Sequence, residues 1–246
     1  MKEDERADLV THLEELRSRL LRILLYATAG LVLAWAFYPW IYRFLAAPVM
    51  GPLRAAGGQL TVRGLLEGFW VRCVISLVVG CFVASPFIFY ETWAFVAPGL
   101  TPRERRAGAP LLPVATLLFL GGVALGYAIT RPSVSWLLKF VPPDTAALLT
   151  LNDTLVLLLK FYLAFGLSFQ LPLVIIFLAS IGLIRYSLLI GRWREAVVAI
   201  FVIAAIITPT WDPLTMTVCA LPMVLLYALT TWVVKVIERR RERAQA

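Results

Sequence analysis

Long apolar stretches, almost free of charged residues, alternate along the chain with short polar connections. They occupy six ranges, 23-42, 70-92, 107-130, 156-182, 196-211 and 213-234. A hydrocarbon layer about 30 Å thick needs about 20 apolar helical residues to cross it. The fifth stretch, about 24 Å long as a helix, is the shortest. The pattern predicts an all-α, polytopic membrane protein with six transmembrane helices, in which the short spans five and six form a shallow hairpin.

The polar segments at the two ends complete a single membrane domain over residues 1-246. Residues 1-22 carry leucines at helical intervals and a capping-box spacing from Thr11 to Glu14, which predicts an amphipathic helix lying on the membrane before span one. This segment lacks the apolar core and small-residue cleavage site of a secretory signal, so we expect span one to be retained. Residues 235-246 form a basic tail.

Composition and charge fix the class and the orientation. Hydrophobic residues make up 61% of the chain, charged residues only 15%, and the mean hydropathy is +0.84, more than a soluble core of this size can bury. Lys and Arg concentrate in the connections on the side that holds both termini, so we expect both termini in the cytoplasm. The net charge of +8 reflects this bias and argues against a nucleic-acid partner.

Residues for catalysis or metal binding are scarce, so we expect no enzyme activity, no metal and no cofactor. His12 is the single histidine and precedes the first span, which leaves no base for a serine nucleophile at Gly166-Leu167-Ser168. The three cysteines show no metal-ligand spacing. The chain has no glycine-rich phosphate loop that would supply nucleotide energy.

Charged residues gather at two positions beside the spans. Glu14, Glu15 and Arg17 lie at the entrance to span one, and Glu104 lies among arginines in the first cytoplasmic connection. These residues could simply form solvated faces, with Glu15 pairing with Arg19 four residues on, a contact worth about 0.3–0.5 kcal/mol. They could equally form a binding site for a charged ligand at the membrane edge.

Gln170 is a polar amide well inside a long apolar run, where it needs a partner or water. One interpretation is an internal hydrogen bond between helices, and the other is a polar patch on which a partner docks. A proton-coupled small-molecule transporter would use Gln170, Glu91 and Lys160 as its intramembrane polar residues. Such transporters show repeated halves with broken helices at matching positions, and this sequence does not.

Several motifs together resemble the TatC family, the receptor subunit of the twin-arginine protein translocase. In chain order they are His12-Leu13-Glu14-Glu15-Leu16-Arg17-Ser18-Arg19-Leu20, Ser85-Pro86, Trp93-Ala94-Phe95-Val96-Ala97-Pro98-Gly99-Leu100, Glu104-Arg105, Phe165-Gly166-Leu167-Ser168-Phe169-Gln170-Leu171-Pro172, Thr208-Pro209, Asp212-Pro213 and Leu226-Tyr227. The resemblance covers all six spans in order. The chain departs from the family at Glu91, where Gln is common, at Gln170, where Glu is frequent, and at Ala228, where Glu is often found.

The resemblance implies a receptor in the bacterial cytoplasmic membrane that binds the twin-arginine signal peptides of folded cargo proteins. It also implies a concave, cupped helix arrangement, single-span TatA/TatB-type partner subunits, a homo-oligomer within a larger complex, and export driven by the proton motive force. We hypothesise that Glu15 and Glu104 bind the arginine pair, with Phe95 beside them and Glu14 and Arg17 shaping the site. Gln170 would then lie on the concave face, where the signal peptide or a partner helix docks.

The outer side is expected to be structural. Proline and glycine predict outer loops over 43–69 and 131–155, and a third outer connection around 209–213 that is only a turn. We expect Glu67 and Asp212 to cap or brace these loops, Pro48 and Pro209 to fix their turns, and Asp212 to bear on assembly. A plain assembly scaffold is the remaining alternative, and it predicts that Glu15 and Glu104 tolerate alanine.

Overall fold

The fold is helical, with one short pair of strands. The computed structural model describes residues 3–108, 110–142, 145–208 and 213–245, with side chains from His12 to Arg239 apart from residues 103, 107 and 214. In chain order the elements are α1 Glu3–Ala36, α2 Tyr38–Ala55, β1 Gln59–Thr61, α3 Glu67–Val96, a 3₁₀ turn Ala97–Gly99, α4 Pro102–Gly108, α5 Leu111–Leu138, β2 Leu148–Thr150, α6 Leu151–Ser168, α7 Leu171–Ser180, α8 Tyr186–Gly191, α9 Trp193–Ile207 and α10 Pro213–Gln245.

The prediction of a six-span, all-α membrane protein is confirmed. Within the described ranges, five segments are long and apolar enough to cross a membrane, namely His12–Ala36, Glu67–Gly99, Leu111–Leu138, Leu151–Ser180 and Thr215–Arg239. The sixth is α9, whose 15 residues measure about 22 Å. The helix that contains span six is longer than the expected span, since α10 continues past residue 234 through a run of charged residues. Span four is divided between α6 and α7, because the ring of Pro172 cannot continue the helix of the preceding turn.

The start of the chain differs from the prediction. Residues 3–36 form one continuous helix, so no separate surface helix turns into span one. No proline or glycine precedes Gly30 in this helix, and nothing else there interrupts its hydrogen bonds. The first span ends at Ala36 instead of residue 42, because Pro39 in the first turn of α2 restarts the helix.

The first predicted outer loop is mostly helix. α2 occupies Tyr38–Ala55, and Pro48 lies buried inside it, so the expectation that Pro48 fixes a turn is wrong. The helix forms because its apolar residues recur at helical spacing and pack against α5; the buried set is Leu45, Ala46, Pro48, Val49 and Leu53. The second predicted loop is also shorter than expected, since α5 continues to Leu138 and β2 pairs in parallel with β1.

Proline leaves two backbone carbonyls without their helical donor, and neighbouring helices satisfy both. Pro39 cannot donate to Trp35 O, which instead accepts a hydrogen bond from Arg72 Nη2 at 3.1 Å. Pro48 cannot donate to Phe44 O, which accepts from Tyr127 Oη at 2.9 Å. These contacts explain how α2 tolerates proline while it packs against the spans.

Tyr127→Phe should therefore lower the stability of the fold by about 1 kcal/mol, the usual value of one net hydrogen bond. The ring stacked on Phe44 at 4.4 Å between centroids is kept, and only the hydroxyl is lost. Thermal unfolding in detergent measures the loss. Pro48→Ala is the matched background, because the backbone N–H that it introduces can reach Phe44 O. If Tyr127→Phe costs the same in the Pro48→Ala background as in the unaltered protein, the explanation fails.

Candidate functional site

The site begins where α1 and α3 run antiparallel and in contact at one end of the bundle. We call residues 12–22 and 91–108 the terminal face, because this end also carries the start of the described chain. Arg19 and Glu91 meet here across the two helices, 72 positions apart in sequence. Eleven residues further along each helix, Gly30 packs against Gly80, so the same helix faces are in contact over about three turns.

An ion-pair network connects α1 with α3. Arg19 Nη2 donates to Glu15 Oε1 at 3.1 Å, and Arg19 Nη1 donates to Glu91 Oε2 at 2.9 Å. Arg22 Nη1 approaches the same Glu91 oxygen at 3.5 Å. The side chain of Glu91 is 2% exposed, that of Arg19 is 19% exposed and that of Glu15 is 31% exposed. Burial therefore falls from Glu91 outward to Glu15, and the outermost carboxylate faces solvent.

The buried carboxylate of Glu91 on α3 depends on the arginines of α1. A buried carboxylate is tolerated only when it is paired and hydrogen-bonded, and two guanidiniums pair with Glu91. Arg19 Nε is buried without a hydrogen-bond partner, so its two Nη groups carry the described interactions of this guanidinium. Arg19 is thus shared between a buried carboxylate and an accessible one.

Phe95 lies next to this network. Its ring stacks on His12 with 4.7 Å between centroids, one helical turn from Glu91 on α3 and one turn from Glu15 on α1. Phe95 is half-buried, whereas Glu14 and Arg17 point to the exposed side of α1. The structure therefore brings Phe95 and Glu15 to one interface and leaves Glu14 and Arg17 at its rim.

Glu104 sits in the first turn of α4, beyond the 3₁₀ turn that ends α3. Its carboxylate accepts a hydrogen bond from Thr101 N at 2.8 Å, and its own N–H donates to Thr101 Oγ1 at 3.4 Å. This is a capping box, and Pro102 occupies the first helical position, where its missing N–H costs nothing. The sequence explains why a short helix forms here, and it fixes Glu104 at the helix N-terminus.

Gln170 lies at the break between α6 and α7. Its Nε2 donates to Ala115 O of α5 at 3.1 Å, which is the internal hydrogen bond that the sequence left open as one alternative. The same residue lines an apolar cavity of about 280 Å³, whose walls include Trp93, Val96 and Phe177. The other polar residues of the transporter alternative have different surroundings: Glu91 pairs with arginines of α1, and Lys160 is exposed on α6.

Glu67 lies at the opposite face. One carboxylate oxygen accepts from Arg63 N, and the other accepts from Asn152 N at 2.8 Å, which joins the start of α3 to the start of α6. Pro209 and Asp212 lie outside the described residues. Among the residues whose placement is described, no three His, Cys, Asp or Glu side chains could together hold a metal ion.

Sequence reasoning missed Glu91 as part of the site and treated Arg19 only as a partner for Glu15. The signal was present on α1, where positions 12, 15, 19 and 22 fall on one helical face. An acidic residue inside the apolar run of span two needed a cation, and the start of span one carries two on one face, Arg19 and Arg22. Assigning the contact requires the pairing of α1 with α3.

The chain matches known proteins over nearly its whole length. The family model for Sec-independent protein translocase protein (TatC) matches residues 11–222. A TatC protein of Koribacter versatilis is 37% identical over 239 residues, covering 96% of this chain and 88% of that protein. The Deinococcus radiodurans protein of the same name is 34% identical over 226 residues, covering 91% of this chain and 84% of that protein.

Solved structures agree with the sequence comparison. The crystal structure described as twin arginine translocase receptor TatC superposes with a TM-score of 0.77 at 32% identity, covering 92% of this chain and 99% of that chain. A second crystal structure of that receptor, in the detergent DDM, also has a TM-score of 0.77, at 30% identity, and covers 90% and 98% of the two chains. The resemblance of the motifs is thereby confirmed. The chain belongs to the TatC family of Sec-independent protein translocase proteins.

Proposed function

We propose that this protein is the receptor subunit of a twin-arginine translocase, and that the terminal face binds the arginine pair of a cargo signal peptide. The observation that carries the proposal is the accessible carboxylate of Glu15, held on the terminal face by Arg19 beside the His12–Phe95 ring stack. The similar crystal structures are those of a twin arginine translocase receptor, which supports the same ligand for this chain.

Arginine suits this face better than lysine for a physical reason. A guanidinium is planar and always charged, and it can donate two parallel hydrogen bonds to one carboxylate. A lysine ammonium has no such fork and is more strongly hydrated. A charge-assisted hydrogen bond contributes about 1.5–3 kcal/mol, so two guanidiniums on two carboxylates suffice for selective binding.

Glu15 and Glu104 are the two proposed arginine partners. Glu15 is presented by the long helix α1, and Glu104 by the capping box of α4. Each carboxylate has two oxygens and about four lone-pair sites, so an existing hydrogen bond does not prevent a further one. Phe95 packs beside the site, and the exposed Glu14 and Arg17 adjust its charge at the rim.

The receptor has a defined orientation and works with partner subunits. Both termini lie in the cytoplasm, in line with the distribution of Lys and Arg. The protein functions in the bacterial cytoplasmic membrane with single-span TatA/TatB-type subunits, as a homo-oligomer within a larger complex with a cupped surface, and export is driven by the proton motive force. Gln170 contributes to a docking surface because it lines the cavity near Trp93.

The outer side supports the fold of the receptor. Glu67 braces it by accepting hydrogen bonds from the backbone of Arg63, in the connection before α3, and of Asn152, at the start of α6. Pro209 and Asp212, which lie outside the described residues, keep the roles expected from the sequence: Pro209 fixes a turn, and Asp212 braces an outer loop and bears on assembly. Pro48 contributes by packing inside α2 against the spans.

The test is binding of a labelled signal peptide to the purified protein in detergent, with an Arg-Arg peptide compared with its Lys-Lys counterpart. We expect the Arg-Arg peptide to bind at least about tenfold tighter, or about 1.4 kcal/mol. Glu15→Gln and Glu104→Gln should each remove most of this preference. Because glutamine at position 104 can still complete the capping box, any loss of binding in Glu104→Gln comes from the lost charge and not from a lost helix cap.

Glu195→Gln is the matched control, because Glu195 is an exposed acid in the first turn of another helix, α9. It should leave the preference unchanged. Equal binding of the two peptides by the unaltered protein, or a preference that survives both Glu15→Gln and Glu104→Gln, would refute the proposal. The second result would also favour the scaffold alternative.

A further inference from the structure

The carboxylate proposed to receive an arginine of the signal peptide already holds an arginine of this chain. Arg19 donates to Glu15 at 3.1 Å with the same guanidinium chemistry that a signal peptide offers. An incoming guanidinium that forks onto Glu15 must therefore compete with Arg19. Arg19 lies one helical turn from Glu15 on the same helix, so the competitor is always next to the carboxylate.

Arg19 has a second carboxylate to which it can remain bound. Its other Nη group donates to Glu91 at the shorter distance of 2.9 Å, and Glu91 is almost fully buried. When Arg19 releases Glu15, it therefore loses one of its two ion pairs and keeps the more buried one, with Glu91. Without Glu91, Arg19 would have Glu15 as its only described carboxylate partner and would hold it more tightly.

We propose that Arg19 is a built-in competitor for Glu15, and that Glu91 is the positioning residue that retains Arg19 while a guanidinium of the signal peptide binds there. The inference rests on the proposed function of Glu15 and extends it to two residues that do not themselves contact the peptide. Arg19 and Glu91 together determine how tightly the signal peptide binds to Glu15. Every ligand that binds Glu15 must displace Arg19 at the same cost, so the competitor lowers the affinities of the Arg-Arg and Lys-Lys peptides by the same factor.

Arg19→Gln is the decisive substitution. The amide can still hydrogen-bond to Glu91, and Arg22 still lies within 3.5 Å of Glu91, so the buried carboxylate keeps a cation. With the competitor gone, we expect the Arg-Arg peptide to bind about threefold to tenfold tighter, the range that a partly exposed ion pair of about 1 kcal/mol supports. The Lys-Lys peptide should gain by the same factor, so the ratio of the two affinities stays unchanged. Damage to the fold would lower affinity and cannot imitate this gain.

Glu91→Gln should act in the opposite direction. Arg19 then turns fully to Glu15, and the Arg-Arg peptide binds at least about threefold weaker. Adding Arg19→Gln to Glu91→Gln should restore binding to the level of Arg19→Gln alone. Arg192→Gln removes an exposed arginine between α8 and α9 and is the control for net charge. It should leave the affinities for both peptides unchanged.

The outcomes separate this inference from the proposed function. If Glu15→Gln leaves Arg-Arg binding unchanged, the proposed function of Glu15 fails, and the inference fails with it. If Glu15→Gln weakens binding but Arg19→Gln does not tighten it, only the inference is overturned. A gain from Arg19→Gln that is equally large in the Glu15→Gln background would also overturn it, because the gain would not come from Glu15. Should Glu91→Gln fail to fold, the Arg19→Gln result still decides.

Discussion

Glu15→Lys and Glu104→Lys are each expected to stop export of twin-arginine cargo and to weaken signal-peptide binding by about 100-fold or more. Each substitution removes a charge-assisted hydrogen bond of about 1.5–3 kcal/mol and adds a repulsive cation at the same place. At 1.4 kcal/mol per tenfold, the two contributions together exceed two factors of ten. Lysine at position 15 has a further cost, because it faces Arg19 within the ion-pair network.

The measurement is export of a folded reporter that carries a twin-arginine signal, in cells whose own receptor gene has been deleted. Membrane levels of each variant are compared in parallel, so that loss of export is not confused with loss of the protein. Glu195→Lys reverses an exposed acid in α9 and should support normal export. Normal export by both Glu15→Lys and Glu104→Lys would mean that the arginine pair binds elsewhere.

The sequence was sufficient for the spans because each is a continuous apolar run, and burial of backbone groups in lipid leaves only the helix available. It was insufficient for the connections. Pro48 and the glycines around it indicate a loop by local rules, yet residues 38–55 are helical because α5 supplies both an apolar surface and the Tyr127 hydroxyl for the carbonyl that Pro48 leaves without a donor. That compensation comes from a helix about 80 residues away and has no local signature.

The site divides in the same way. Glu15 with Arg19, and Thr101 with Glu104, are contacts between residues three or four apart, and their spacing in the sequence predicts them. The Arg19–Glu91 contact depends on the register between α1 and α3, which no helical period reveals. The sequence thus predicts which carboxylates are presented, and the tertiary structure shows that one of them is shared with a buried ion pair.

The register of α1 on α3 is set by a close approach of two glycines. A Cβ on Gly80 would lie 2.5 Å from Leu31 N and 2.7 Å from Gly30 C, so the backbones touch where these residues cross. Small residues that allow such an approach are a common basis of helix association in membranes. Because Arg19 and Glu91 each lie eleven residues from this crossing, about three turns away, the glycine contact and the ion pair lie on one continuous interface.

Gly80→Val is therefore expected to separate α1 from α3 and to reduce both stability and signal-peptide binding. Overpacking against backbone costs about 1–3 kcal/mol in a well-packed interface, and here no flexible side chain can move aside. Thermal unfolding in detergent should show a lower midpoint. Where folded protein is recovered, the Arg-Arg peptide should bind several-fold weaker, because the Arg19–Glu91 contact needs the helices at their present distance.

Gly121→Val in α5 is the matched control. A Cβ at Gly121 meets no atom within 4 Å, and the substitution also replaces a helical glycine by valine, so the change in helix propensity is the same. It should leave the unfolding midpoint and peptide binding close to those of the unaltered protein. If Gly80→Val lowers stability but leaves the preference for Arg-Arg over Lys-Lys and the effect of Arg19→Gln intact, then α4 and residues 12–22 of α1 define the site without the α1–α3 glycine contact. If both are lost together, the glycine crossing positions the carboxylates, and the geometry of recognition depends on a contact about 16 Å from the Arg19–Glu91 pair and about 22 Å from Glu15.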